Sequence, residues 1–209
     1  SITYNTDCCA ADNWYHSHFA RTKCKARAAA GSDARMSGCP LPVVICSGSG
    51  NQGLTVSMPI ITTAEELDKT DEELYRSLVF ANLLTLYVKS GIGKLSAYCG
   101  VVSAGIVSVA GIAFLKGDSK DIIEDTLVNG LVSLSGIVCD GAKPSCAGKI
   151  AISLDGAFMG YKQARLNKSY QKGDGLVAHS VDDTIKSIGV VAQGMKETDV
   201  VILNEMLKH

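Results

Sequence analysis

The chain has 209 residues and a formal net charge of -1, with 20 Lys and Arg against 21 Asp and Glu. That length is enough for one domain with a sizeable core. Near-neutral charge and scattered basic side chains exclude a nucleic-acid partner held through its phosphates. Aromatic residues make up only 6% while glycines number 21, a mixture suited to helices packed closely through small residues.

The opening segment, residues 1–25, has no basic start followed by an apolar run, so no secretory signal is expected and the chain is read as cytoplasmic. Eight cysteines follow along the chain: Cys8, Cys9, Cys24, Cys39, Cys46, Cys99, Cys139 and Cys146. In a small secreted protein an even number suggests disulfides. Here the core needs no staples, and reduced thiols or metal-bound thiolates are expected instead.

Residues 42–60, "PVVICSGSGNQGLTVSMPI", place Gly48, Gly50 and Gly53 on the spacing G-x-G-x-x-G after a β-branched run. A dinucleotide site needs a helix to begin at those glycines. "LTVSMPIITT" is β-branched and contains Pro59, so no helix is expected and the dinucleotide reading is rejected. A phosphate-binding P-loop is rejected too, since no Lys-Ser or Lys-Thr pair follows. Two readings stay open: a structural turn, or a nest of backbone N–H groups for a small anion such as a carboxylate. In the second, Ser47, Ser49, Asn51 and Gln52 supply side-chain contacts.

Thr70 to Glu73 is a capping box, after which Leu74, Leu78, Ala81, Thr85 and Val88 recur at helical spacing. Residues 97–115 carry no charge and approach the length of a membrane span. Their many Gly, Ser and Ala residues favour a buried central helix, and no membrane association is expected. A third helix is expected over residues 119–138, with Ile122, Ile123, Leu127, Leu131 and Leu134 inward. "CDGAKPSC" breaks the chain at Gly141 and Pro144. Helices then resume over about 145–166, after the cap at Ser180, where Ile185, Ile188, Ala192 and Met195 face inward, and over about 199–207. The fold expected is mainly α: one helical domain with a buried central helix and an extended Gly-rich loop.

Cys139 and Cys146 bracket a six-residue loop, and Cys99 sits at the start of the buried helix. Thiolates so carried can converge on a soft metal centre. Three buried free thiols, or a zinc site, are the alternatives that spacing leaves open.

"DARMSG" (33–38), "SGSGNQGLTVSMPI" (47–60), "LSAYCGVVSAGI" (95–106), "GIVCDGAKPSCAGKI" (136–150) and "GLVAHSVDDTI" (175–185) carry a family resemblance. In this order they resemble the C-terminal half of L-cysteine desulfidases, relatives of the iron–sulfur L-serine dehydratase α-chain. The resemblance covers residues from about 28 onward and divides the chain into an unmatched segment, 1–25, and a helical domain, 26–209. It implies a [4Fe–4S] cluster held by Cys99, Cys139 and Cys146, with no pyridoxal phosphate. The reaction implied is β-elimination from a small amino acid, cysteine giving sulfide, ammonia and pyruvate, or serine giving ammonia and pyruvate; the alternative for this chain alone is a non-catalytic fragment or binding module of the same fold. The glycine loop would then grip the substrate carboxylate.

Family members are longer, and the base of the reaction lies in an N-terminal half that this chain lacks. A missing half or partner chain is therefore expected, with a homodimer as a further arrangement. Cys8, Cys9 and Cys24 do not inherit the base. His179, in a matching segment, is the one candidate for a catalytic group here, against the reading that it is a helix-start histidine beside Asp182 or Asp183. His16 and His18 fall in the unmatched segment. Lys143 and Lys149 could offset a cluster's negative charge. Cys39 and Cys46 are read as buried thiols, Cys46 doubling as a stray ligand.

Overall fold

The computed structural model describes residues 14–93 and 96–208. Eight helices are found among them: α1 (Trp14–Met36), α2 (Gly50–Glu66), α3 (Asp71–Ile92), α4 (Gly100–Leu115), α5 (Lys120–Leu134), α6 (Cys146–Arg165), α7 (Val181–Gly194) and α8 (Lys196–Met206). The single all-α domain and the buried central helix match the expectation. All of α4 but Gly100 and Phe114 is buried, because it is enclosed by α2, α3, α5 and α6. Among the described residues no helix is long and apolar enough to cross a membrane.

Successive helices from α1 to α6 reverse direction. Lys23, Arg27 and Arg35 of α1 meet Glu66, Glu65 and Asn51 of α2, an antiparallel pairing. Gln52 and Ile60 of α2 lie against Gly100 and Gly111 of α4, a parallel one. Ser153 of α6 sits against Gly105 of α4. The starts of α2, α4 and α6 therefore gather at one end of the bundle, beside the last turns of α1, α3 and α5. Glycines permit this closeness: a Cβ at Gly111 would fall 2.7 Å from Ile60 Cδ1.

Capping explains several helix starts. Thr70 and Glu73 form the expected reciprocal box at α3, Ser119 caps α5 and Ser180 caps α7. Inward residues follow the sequence pattern: Ala81, Thr85, Val88, Leu127, Leu131, Ile185, Ile188 and Ala192 are buried. Leu74, Leu78, Ile122, Ile123, Leu134 and Met195 pack partly buried against the same core.

Helix α2 is the correction. Residues 54–63 were expected to be non-helical, yet α2 continues through Pro59 to Glu66. A proline in a helix removes one i→i−4 bond. Here Val56 and Ile60 are fully buried on either side of it, and apolar burial of two such side chains contributes roughly 3 to 6 kcal/mol, more than the local cost of about 3. Threonine hydroxyls assist: Thr55 donates to Asn51 O, Thr62 to Met58 O and Thr63 to Pro59 O. Helix α1 runs unbroken through residue 25, the boundary expected from the sequence.

Candidate active site

The glycine-rich segment is a turn followed directly by a helix. Cys46 and Ser49 exchange two backbone hydrogen bonds, each 3.2 Å. Between them Ser47 (φ 49) and Gly48 (φ 88) are both left-handed, as a two-residue hairpin turn of the I′ kind requires. Ser49 is extended, and α2 starts at Gly50. The expectation that Ser47–Gly53 forms an ordered turn and not the entry to a helix thus holds only to Ser49; Gly50 to Gly53 form the first helical turn. Each later glycine admits a neighbour. A Cβ at Gly50 would fall 2.7 Å from Arg35 Nε, and one at Gly53 would run into the Val44 carbonyl oxygen. The chain crossing at Val44 leaves room only for hydrogen.

Helix α2 has no side-chain cap: the Ser49 hydroxyl makes no bond to the first turn. The N–H groups of Gly50, Asn51 and Gln52 precede the first intrahelical bond, Gly53 N–H to Ser49 O, so the positive end of the helix dipole is unanswered there. Asn51 and Gln52 are 1% and 5% exposed, and Asn51 Nδ2 and Gln52 Oε1 have no hydrogen-bond partner among the described residues. Ser47 and Ser49 are half-buried beside them. Buried polar atoms without partners are rare and costly, by about 1–3 kcal/mol each. Arg35, from the last turn of α1, donates from Nη1 to Asn51 Oδ1 at 2.9 Å. Arg35 lies within the resembling stretch "DARMSG", but the sequence assigned it no role, since its position depends on how α1 docks on α2.

Gln52 connects this helix start to the cysteines. Its amide lies across Gly100, where a Cβ would fall 2.6 Å from Gln52 Nε2, and the preceding residue is Cys99, the N-cap of α4. Cys99 N–H donates to Ile137 O (3.1 Å) and Cys139 N–H to Ala97 O (2.6 Å), flanking an antiparallel bridge between Tyr98 and Val138. This clasp sets the Cys99 and Cys139 side chains beside each other, so that each thiol shifts the other. The Cys99 thiol pulls the Cys139 pKa down to about 6, helped by the Gly141 N–H and the Lys149 ammonium. The Cys139 side chain, with burial, pushes Cys99 up.

Cys146, buried at the start of α6, turns its thiol to Gly141 O at 3.4 Å. The Gly141 peptide thus answers Cys139 through its N–H and Cys146 through its carbonyl. Among the described residues no three His, Cys, Asp or Glu side chains stand close enough as they are to hold a metal ion. The donor chemistry nevertheless fits an iron–sulfur group: three thiols, with Cys99 and Cys139 neighbours across the clasp and Cys139 and Cys146 both facing the backbone of Gly141, which is left-handed (φ 91).

Two lysines attend the thiols. Lys149 donates to Val138 O at 3.0 Å and pairs with Asp140, holding the loop and lending positive charge to Cys139. Lys89 of α3 is 4% exposed; burial lowers its pKa, and the charges of Cys139 and Cys99 oppose that.

His179 lies elsewhere in its contacts: it is exposed, in the connection before α7, and its Nε2 is 2.9 Å from Lys172 Nζ. All six described cysteines are free thiols. Cys46 is buried as expected; Cys39 is exposed, a correction, because it follows the end of α1 in an open connection. Cys24 is buried and donates to Pro59 O. Cys8, Cys9 and the side chains of His16 and His18 lie outside the described residues.

The chain belongs to the serine dehydratase alpha chain family, whose model matches residues 4–204. Among its relatives is a "UPF0597 protein" of Finegoldia magna, 53% identical over 189 residues, covering 90% of this chain and 45% of the relative. Another, from Desulfitobacterium hafniense, is 56% identical over 190 residues, covering 90% and 44%. A third, from Bacteroides fragilis, is 40% identical over 178 residues, covering 85% and 42%. The chain thus spans less than half the length of these curated relatives. No solved structure matches it.

Proposed function

We propose that this chain is the cluster- and carboxylate-binding part of a pyridoxal-phosphate-independent lyase acting on a small amino acid by β-elimination. Membership of the serine dehydratase alpha chain family supports the class of reaction. The observation that carries the reading is the contact of Gln52 with Gly100, which joins an uncapped helix start to the Cys99–Cys139 pair. An amino acid has its carboxylate and β-substituent only three bonds apart, so the groups that take them must be near neighbours.

In this reading Ser47, Ser49, Asn51, Gln52 and the first N–H groups of α2 hold the carboxylate. Cys99, Cys139 and Cys146 hold a [4Fe–4S] cluster, which supplies Lewis-acid chemistry toward the leaving thiolate or hydroxyl. Lys89 and Lys149 offset the negative charge of the thiolates. The α-proton passes to a base in the half of the protein outside this chain, with His179 the one candidate within it. For cysteine the balance is one water consumed and pyruvate, ammonia and hydrogen sulfide released. For serine, the water lost in elimination is regained on hydrolysis of the enamine. The missing half or a partner chain completes the enzyme, with a homodimer as a further arrangement, and the reading calls on no membrane or nucleic acid.

Cysteine is the proposed substrate because a thiolate leaving group is soft and suits iron; the family's name favours serine as the second reading. The test is to purify the complete, longer protein anaerobically, count iron and sulfide, and feed it both amino acids. Several irons per chain with sulfide and pyruvate from cysteine is the expected result. A strong preference for serine moves it to the dehydratase reading, and a colourless protein with stoichiometric zinc overturns the cluster. Replacing Asn51 by Ala should raise the substrate concentration needed and leave the iron in place, whereas Cys139→Ala should remove the iron.

A further inference from the structure

We infer that Arg35 is the charged anchor of the α-carboxylate, so that the site takes free amino acids and refuses their esters and amides. This rests on the reading of the α2 start as the substrate's carboxylate site and adds to it the residue that supplies full charge.

Other basic side chains of α1 have carboxylate partners: Lys23 pairs with Glu66 and Arg27 with Glu65 of α2, and Lys25 with Asp155 of α6. Among the described residues Arg35 forms no ion pair. Its guanidinium instead packs on Gly50, where the N1 hydrogen permits the approach, and donates to Asn51 Oδ1. A cation beside the positive end of a helix is electrostatically misplaced unless an anion joins them.

Asn51 fixes the geometry of that anion site. A guanidinium can only donate, so Asn51 must turn its oxygen to Arg35, which leaves its amide nitrogen as a free donor. That nitrogen is buried without a partner. Arg35, which keeps N–H groups beyond the one given to Asn51, thus joins Asn51 Nδ2 and the uncapped N–H groups of Gly50 to Gln52 as donors at the start of α2. A planar, singly charged carboxylate matches them, and the guanidinium can meet it with two parallel N–H groups. The neighbouring Gln52, lying on Gly100, sets the carboxylate on the side of Cys99.

The test uses the complete protein and L-alanine, which has the carboxylate and ammonium but no leaving group, with alaninamide as the counterpart whose carboxylate is replaced by a neutral amide. Calorimetric titration should show L-alanine bound more tightly than alaninamide by wild type. Arg35→Gln should weaken L-alanine by roughly 10- to 100-fold, the worth of a charge-assisted contact, and leave alaninamide where it was. Asn51→Asp supplies Arg35 with an internal carboxylate; it should keep the fold and lose L-alanine binding. Arg35→Gln that binds L-alanine as wild type does, or that loses both ligands equally, overturns the inference, as does undiminished L-alanine binding by Asn51→Asp. Sulfide or pyruvate production that persists in such a case leaves the lyase reading standing; discriminating L-alanine binding without any elimination leaves Arg35 standing and removes the lyase.

Discussion

Gln52 rests on the backbone of Gly100, one residue beyond Cys99, and only the absence of a side chain at Gly100 allows it. The atom that a methyl group would strike is the far end of a flexible amide, so Gly100→Ala should displace Gln52 at little cost to the fold. In the complete enzyme we expect half-saturation by substrate to rise roughly tenfold, equivalent to about 1.4 kcal/mol, with unchanged helicity and iron content. Steady-state kinetics beside circular dichroism would measure this. An unaltered KM would remove Gln52 from the site.

Gly53 gives the opposite expectation. There the obstruction is the Val44 carbonyl, which is backbone and cannot swing away. Gly53→Ala should cost about 3 kcal/mol in denaturant unfolding, at the upper end for overpacking. Gly194→Ala, at the end of α7 with nothing near its Cβ position, serves as the control and should leave stability unchanged or raise it slightly.

The contrast bears on what could be read from sequence. Helices α3 to α8 announce themselves through capping residues and apolar spacing, and the buried α4 through its uncharged run. Helix α2 does not, because Gly, Thr, Val and Pro are all poor helix formers and only tertiary burial of Val56 and Ile60 decides in its favour. Helix α1 buries Cys24, Ala28 and Ser32 at i, i+4 spacing, a stripe of small residues too faint to stand out. The cysteines were visible as a set through family likeness, but the clasp that joins Cys99 to Cys139 is a tertiary contact across 40 positions. Arg35 was hidden for the same reason.

Acid should loosen the start of α3. The Glu73 carboxylate, bonded by Lys69 and by the N–H and hydroxyl of Thr70, has its pKa lowered to about 2 from 4.5. A depressed folded pKa contributes stability that is present above the unfolded value and lost as pH falls. The window is therefore pH 4.5 down to about 2. Glu73→Gln should flatten that part of the pH-stability curve while leaving the protein folded at pH 7; a curve superimposable on wild type would contradict the assignment.

Lys89 is buried beside thiols. In metal-free protein its charge is poorly compensated, and Lys89→Met should raise stability by about 1 kcal/mol or more. In the iron-loaded protein the same change should hasten iron loss on exposure to a chelator, followed by the bleaching of visible absorbance. Faster loss without the stability gain would leave Lys89 as a ligand-side charge alone; neither effect would dismiss it.

The Tyr98–Val138 clasp is held by two backbone hydrogen bonds between connections, outside any helix. Such a contact can open without melting α4 or α5, at a free energy well below that of global unfolding. Amide protons of Cys99 and Cys139 should then exchange with deuterium orders of magnitude sooner than those of Val107 or Leu131 in the neighbouring helices. The two thiols would part at each opening, so that breathing of two bonds, rather than denaturation of the bundle, sets the pace at which oxidants reach the buried Cys99.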